Sequence, residues 1–170
     1  MLLQSKNILN SKIFTLHTGQ SIGQITALII NPHKLEVVGF YCQGRWNKPM
    51  VLLAQDVRQV AASKVIIDSA DEITATTELH RLQEILEINY NLIDKPVRTE
   101  SKRRLGKIEE YVVNADTFLI QKLYVKPSVF KSLMTNSFVV ERQQVVEVSD
   151  AYVTVSDATM RKPALAPQQV

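Results

Sequence analysis

The sequence predicts a mainly β fold of two tandem small antiparallel β-barrels joined by an amphipathic linker helix. Three observations predict it: a long internal repeat, short β-branched segments between turn residues, and the absence of strand–helix–strand alternation. The segment "IGQITALIINPHKLEVVGFY" (22–41) returns as "LGKIEEYVVNADTFLIQKLY" (105–124), 83 positions later and without a gap. A fixed offset of this kind indicates one supersecondary unit that is used twice.

Each repeat contains five predicted strands. In the first repeat they are "KIFTLHTG", "IGQITALIIN", "LEVVGFYCQ", "MVLLA" and "KVIID"; in the second they are "LIDKPVRT", "LGKIEEYVVN", "TFLIQKLYV", "SFVVE" and "AYVTVS". The later half of the second repeat matches at an offset of 88, so five residues have been added within "KPSVFKSLMTN", between its third and fourth strands. Closure of such short strands into barrels removes exposed sheet edges.

The predicted organisation is a first barrel over 1–75, a linker helix over 76–90, a second barrel over 91–156 and a flexible tail over 157–170. Leu79, Leu82, Ile85 and Leu86 recur at helical spacing, and Thr76 or Thr77 is the expected N-cap. Proline among small and polar residues after Ser156 is typical of a tail without fixed structure.

Composition indicates a soluble, cytoplasmic protein. The chain has 170 residues, of which 45% are hydrophobic and 22% charged, and Cys42 is its only cysteine. No intrachain disulfide is therefore expected, which suits a reducing compartment. The opening "MLLQSK" is too short for a signal-peptide core, and no run reaches the length of a membrane span. A net charge of +3 permits an acidic partner without requiring one.

The sequence predicts no catalytic residues, no metal and no cofactor, so we expect that the protein is not an enzyme. Cys42 needs a nearby histidine to act as a nucleophile, and His17, His33 and His80 are scattered over three separate segments. Their spacing matches no zinc pattern, and "GQSIG" lacks the phosphate-loop lysine.

A basic run is the clearest difference between the repeats. It surrounds the first turn of the second repeat, where the first repeat has the nearly uncharged stretch 17–21. Its members are Arg98, Lys102, Arg103, Arg104 and Lys107. Two interpretations stay open: a solvated hairpin tip, or a contact with RNA phosphates, anionic lipid or an acidic protein surface.

Trp46 is a second candidate binding residue. It lies in "GRWNKPM", the loop that corresponds to the expanded loop of the second repeat, where Phe130 lies. Large apolar side chains in loops at barrel ends either fold back as plugs or are displayed as interface anchors.

The repeats resemble the PRC-barrel family, whose members include the photosynthetic reaction centre H subunit and the ribosome maturation factor RimM. The resemblance rests on "SIGQITALIINPHKLEVVGFY" and "LIDKPVRTESKRRLGKIEEYVVNADTFLIQKLYV". It implies a non-enzymatic adaptor or assembly module. RimM-type barrels carry an aromatic pair before their first strand that is associated with binding a ribosomal protein, and Tyr90 stands in the similar place.

These observations lead to one functional hypothesis and two alternatives. The first is an intracellular adaptor that binds another protein through PRC-type barrels. The alternatives are a ribosome-associated or RNA-processing accessory factor, and peripheral association with an anionic membrane. The sequence does not identify the partner or the oligomeric state.

Overall fold

The computed structural model describes residues 1–46, 48–61, 63–127 and 137–158 of the chain. Its strands form two sheets of seven strands each, which confirms the prediction of a mainly β protein. No helix within these described ranges is long and apolar enough to cross a membrane.

All seven strands of the first sheet lie in the first repeat. In chain order the elements of this part of the chain are β1 (Leu2–Gln4), α1 (Ser5–Ile8), β2 (Lys12–Thr15), β3 (Ser21–Asn31), β4 (Glu36–Gly44), β5 (Met50–Leu53), β6 (Gln59–Ala61), β7 (Lys64–Ile67), β8 (Ile73–Ala75) and α2 (Gln83–Ile88). The sheet order is β6-β7-β2-β3-β4-β5-β8, and β1 belongs to the second sheet. The short strands β1, β6 and β8 are additions to the five that the sequence predicts.

The second repeat forms the second sheet. Its strands are β9 (Pro96–Thr99), β10 (Arg104–Asn114), β11 (Ile120–Pro127), β12 (Phe138–Glu141), β13 (Val145–Val148) and β14 (Val153–Val155). The order is β12-β11-β10-β9-β14-β13, with β1 paired to β10 as the seventh strand. Apart from β1 and β8, the two sheets therefore have the same order of strands.

The pairing registers repeat as well as the strand order. In the first sheet β2 runs parallel to β7 with Ile13 opposite Val65, and in the second β9 runs parallel to β14 with Val97 opposite Val153. The turns between long strands also match, since Leu35 (φ 46°) and Phe118 (φ 56°) are both left-handed. The duplicated sequence therefore folds into a duplicated backbone.

Each sheet runs as an open path within the described ranges. The order ends at β6 and β8 in the first sheet and at β12 and β13 in the second. Side chains that point inward form the apolar core, including Ile13, Phe40 and Val65 in the first repeat and Val97 and Val153 in the second.

The chain divides into two compact units. The first consists of Met1–Asn91 with Val112–Gln121, and the second of Leu92–Tyr111 with the described residues from Lys122 on. The tip of the β10–β11 hairpin thus belongs to the first unit. There Phe118 meets Phe40 edge to face, with ring centroids 5.7 Å apart, and β1 pairs with the end of β10.

The linker helix is shorter than the predicted range 76–90. Two 3₁₀ turns, Thr76–Glu78 and His80–Leu82, come first, and the α-helix covers only Gln83–Ile88. Leu79 lies between the two turns with φ −96° and ψ 58°, which is not helical and interrupts the hydrogen-bond ladder. The helix ends at Asn89 in the left-handed conformation (φ 45°), one residue before the predicted end at 90.

Candidate functional site

The predicted basic run lies on a turn that has a left-handed residue at the same offset in both repeats. Gly19 (φ 67°) and Lys102 (φ 63°) hold the same left-handed position, 83 residues apart. Gly19 N–H donates to the Thr15 carbonyl at 2.8 Å, and Lys102 N–H donates to the Thr99 carbonyl at 2.9 Å. The turn is therefore one residue shorter in the second repeat, and the left-handed position is kept although the length and the side chains of the turn differ.

A β-bulge sets the direction of the cations that follow the turn. The register of β9 against β10 places Arg98 opposite Arg104 and then shifts by one residue, so that Val97 faces Gly106. Leu105 and Gly106 are both buried as a result, while Arg104 and Lys107 are both exposed on the outer face. The first repeat has the same shift after Ser21.

One further lysine joins this face from the neighbouring strand. A Cβ at Gly106 would meet the Lys126 carbonyl oxygen, and a Cβ at Gly23 would meet the equivalent Gln43 oxygen. The two hairpins therefore share one register. Because Gln24 lies opposite Gln43 in the first repeat, Lys107 lies opposite Lys126 in the second.

We call these exposed cations the basic surface. Its members are Lys102, Arg103, Arg104, Lys107 and Lys126. Their counterparts at the offset of 83 are uncharged and equally exposed: Gly19, Gln20, Ser21, Gln24 and Gln43. The sequence prediction missed Lys126, although the repeat alignment contains the signal, since position 43 plus the offset is position 126.

The basic surface is not neutralised by ion pairs among the described residues. The salt bridges of the described chain involve other cations, such as Lys122 with Glu141 at 3.2 Å. Three carboxylates of the second repeat accept hydrogen bonds from neutral donors: Asp157 accepts from Ser101, Glu100 from the Asp157 backbone, and Glu109 from Ser137. The five cations are therefore available to an anionic group from outside.

Two features of the basic surface oppose folding. The left-handed conformation suits glycine, which the first repeat uses, and costs a lysine about 1 kcal/mol. Like charges directly opposite each other on a sheet, as for Lys107 and Lys126, are also destabilising. Folding alone therefore does not explain why these residues are basic.

Arg98 differs from the rest of the predicted run because its side chain is engaged. The guanidinium lies 3.2 Å from the centre of the Tyr152 ring, and its Nε donates to the Thr154 hydroxyl at 3.4 Å. In the first repeat, Lys64 Nζ lies 5.6 Å from the centre of the Phe14 ring. Phe14 is the counterpart of Arg98 and Lys64 that of Tyr152, so both repeats keep a cation–π pair with the two partners exchanged.

We expect that the aromatic and the cationic partner can be exchanged in the second repeat without loss of the contact. Tyr152→Lys alone places a lysine beside Arg98 and should destabilise the protein by about 1 kcal/mol, because the cation–π contact is lost. Combining it with Arg98→Phe rebuilds the arrangement of the first repeat and should recover most of that loss. Urea unfolding of both single variants and the double variant measures the coupling, and strictly additive effects would contradict it.

The side chains of two predicted aromatic binding residues are partly or fully buried. Trp46 is partly buried, and its ring lies where a Cβ on Gly23 would meet it at 2.9 Å, so the side chain folds back over the end of the β3–β4 hairpin. Tyr90 is only 7% exposed, which places its side chain in the interior. Phe130, the third of these aromatic residues, lies outside the described residues.

The groups considered for catalysis do not assemble into a site. Cys42 is buried, and its thiol donates to the Phe40 carbonyl at 3.4 Å. Burial raises the pKa of the Cys42 thiol from 9.0 to about 12, against a smaller opposite effect of the Leu52 backbone, so the nucleophilic thiolate is disfavoured. All three histidines are exposed, and the described part of the chain contains no cluster of three residues able to hold a metal.

The raised pKa of Cys42 predicts a loss of stability at alkaline pH. The unfolded thiol loses its proton above pH 9.0 while the folded one keeps it up to about 12. The contribution of the buried thiol to the free energy of unfolding is therefore fully present below pH 9 and is lost as the pH rises. At pH 10 this group alone has lowered the free energy of unfolding by about 1.4 kcal/mol. Urea unfolding at pH 8 and pH 10 should show a smaller drop for Cys42→Ala than for the native protein; equal drops would contradict the assignment.

The first unit also contains a cavity of about 830 Å³ with an apolar floor that includes Val38 and Phe118. Its three carboxylates already have cationic partners: Glu36 pairs with Lys34, Glu78 with Lys48 and Asp116 with the N-terminal amine. This cavity therefore offers no unpaired charge to a ligand, and the basic surface is the stronger candidate site.

Comparison of the chain with protein-family models and with curated proteins finds no match.

Proposed function

We propose that the chain is a cytoplasmic, non-catalytic adaptor or assembly module that binds another protein through its second repeat. The observation that carries the proposal is the replacement of five exposed, uncharged residues of the first repeat by the five cations of the basic surface. Since both repeats keep the strand order, the bulge and the left-handed turn position, the difference in charge serves something other than these shared features of the fold. The partner surface that these cations fit is acidic.

The PRC-barrel family is the structural part of the proposal. The repeated strand order, the parallel pairs β2–β7 and β9–β14, and the bulge at the start of each long strand support two tandem barrels of this type. In the family such barrels act as contact modules, which agrees with a binding function for this chain.

Protein is favoured over RNA as the partner by the surroundings of the cations. No phenylalanine, tyrosine or tryptophan of the described ranges is more than partly exposed and none belongs to the basic surface, so the cations are not accompanied by a set of displayed rings for base stacking there. Glu100, Glu109 and Asp157 lie beside the basic surface and would repel a uniformly negative phosphate backbone.

Membrane association is also less favoured. Of the large exposed apolar residues of the described chain, Val139 on β12 lies on the same face as Lys126, others lie on elements such as β1 and β13, and none is a member of the basic surface. Stable attachment to anionic lipid requires an apolar contribution in addition to charge.

The test uses a variant that gives the second repeat the residues of the first. This neutral-surface variant combines Lys102→Gly, Arg103→Gln, Arg104→Ser, Lys107→Gln and Lys126→Gln. A control removes five exposed cations from the first unit, replacing each by Gln: Lys6, Lys12, Lys34, Arg45 and Lys48. Both variants lose five charges; the control also loses the exposed ion pairs of Lys34 with Glu36 and of Lys48 with Glu78, which are each worth about 1 kcal/mol or less.

Affinity capture from the native cell should recover a protein partner with the wild-type chain and the control, and not with the neutral-surface variant. Nuclease treatment should leave capture unchanged. Retention of the same partner by the neutral-surface variant would overturn the proposal. Nuclease-sensitive capture would favour RNA, and flotation with phosphatidylserine vesicles would favour a membrane.

A further inference from the structure

The outer edge of β12 is the one sheet edge at which the two repeats differ. In the first repeat the equivalent strand, β5, is covered by β8: Met50 faces Ala75, Val51 faces Thr74 and Leu52 faces Ile73. In the second repeat β12 is the last strand of the sheet, and among the described residues it pairs with β11 only. The opposite ends, β6 and β13, are terminal in both repeats, so within the described ranges the lack of a covering strand is specific to β12.

The hydrogen-bonding groups of this edge can be assigned from the first repeat. Thr76 N–H donates to the Pro49 carbonyl at 3.4 Å, and in an antiparallel ladder such bonded pairs alternate along the strand. Val51 therefore directs its N–H and carbonyl at β8. Its counterpart at the offset of 88 is Val139, which presents the same two groups on the uncovered edge.

The side chains around the edge indicate what kind of strand it takes. In β8 the inward residues Ile73 and Ala75 are buried, and Thr74 between them is partly exposed. The corresponding inward positions of β12 are Phe138 and Val140, and Val139 is 38% exposed. An added strand would thus place two small or apolar side chains inward, separated by one outward residue.

Charge selects the outward residues of that strand. Lys126 lies on β11, one strand from β12, on the face shared with Ser137 and Val139. An added strand would lie about 10 Å from β11, a span that a lysine and an acidic side chain can bridge together. Two carboxylates lie on this face: Glu109 accepts from the Ser137 hydroxyl, and Glu141 at the end of β12 pairs with Lys122 at 3.2 Å, whereas Lys107 and Lys126 take part in no salt bridge among the described residues.

We infer that β12 binds an extended, acidic segment of another protein, which adds as an antiparallel strand to this edge. The segment carries apolar side chains at alternate positions opposite Phe138 and Val140, and carboxylates directed at the basic surface. This mode of binding is β-augmentation, in which backbone hydrogen bonds provide affinity and the alternate side chains provide selectivity. The inference rests on the proposed function, since it describes how the same partner is held.

The first repeat supplies a probe. A fluorescent peptide with the sequence of 69–78, "SADEITATTE", contains β8 and three carboxylates. It should bind the full-length protein and shift the amide resonances of Phe138 and Val139. Val139→Pro removes the outward donor, which an edge strand tolerates, and should weaken binding at least tenfold. Val139→Thr keeps the donor and should bind within twofold of the wild type.

A second pair of probes avoids changing the protein. The peptide with an N-methyl group on Thr74 loses the donor that faces Val139 and should not bind, whereas N-methylation of Ala75 blocks an amide directed away from β12 and should be tolerated. Equal binding of both methylated peptides would overturn the inference, as would the absence of binding by the unmodified peptide at 1 mM.

Other occupants of the edge would give distinct results. If the peptide bound only after residues 159–170 were deleted, the chain's own C-terminal segment would be the occupant, and the inference would be overturned. A concentration-dependent dimer that Val139→Pro abolishes would identify a second copy instead. Two results together would leave the proposed function intact and exclude the β12 edge as the binding site: the neutral-surface variant loses capture of the native partner, and Val139→Pro does not weaken binding of the peptide.

Discussion

Replacing Gly106 by alanine is expected to destabilise the protein by about 3 kcal/mol. The added Cβ would overlap the carbonyl oxygen and carbonyl carbon of Lys126 and lie 3.0 Å from the Pro127 Cα. These are backbone atoms of the adjacent strand, so they cannot move without opening the hairpin that carries the basic surface. Overpacking against a fixed backbone has costs in this range.

Gly19→Ala is the matched control for this substitution. No atom lies within 4 Å of a Cβ at Gly19, so the only cost is the left-handed backbone, about 1 kcal/mol. Urea unfolding should therefore give a difference of about 2 kcal/mol between the two alanine variants. Equal stability of the two variants would contradict the close approach of β10 and β11.

The neutral-surface variant is expected to be more stable than the native protein, by about 1 kcal/mol. Lys102→Gly places glycine at a left-handed position, and Lys107→Gln with Lys126→Gln removes the repulsion between two like charges that face each other. The same variant is expected to lose its partner. A gain in stability together with a loss of binding is the result that distinguishes a functional surface from a structural one.

Salt separates the two contributions to that gain. The gain from Lys107→Gln comes from charge repulsion and should shrink at 1 M NaCl, where the screening length is about 3 Å. The gain from Lys102→Gly comes from backbone conformation and should remain. Thermal unfolding of the two single variants at 0.05 and 1 M NaCl makes the comparison. A loss of stability in both variants would contradict the account.

The sequence predicted the elements that long patterns determine. The offset of 83 predicts equal lengths for β3 and β10 and matching positions for the hairpin turns that follow them. Each of these eleven-residue strands has the repeated Gly near its start and the repeated Asn at its end, which fixes both boundaries. The strands β1, β6, β8 and β13 were missed. Three or four residues carry too little periodicity to be recognised, and pairing decides their structure.

The candidate site was predicted in part, for a related reason. Four members of the basic surface are close together in sequence, whereas Lys126 reaches them only through the pairing of β10 with β11. The engagement of Arg98 by Tyr152 depends on the parallel pairing of β9 with β14, which joins segments more than fifty residues apart. The periodic spacing of 79–86 favoured one long helix, but the backbone at Leu79 interrupts it.

In the function that we propose, the partner binds at the basic surface. The most direct test of this claim is the affinity of the captured partner protein for the native chain, the neutral-surface variant and the control variant that lacks five cations of the first unit, at one ionic strength. We predict at least tenfold weaker binding by the neutral-surface variant, equivalent to about 1.4 kcal/mol, and unchanged binding by the control. Equal affinity of all three proteins would contradict the claim.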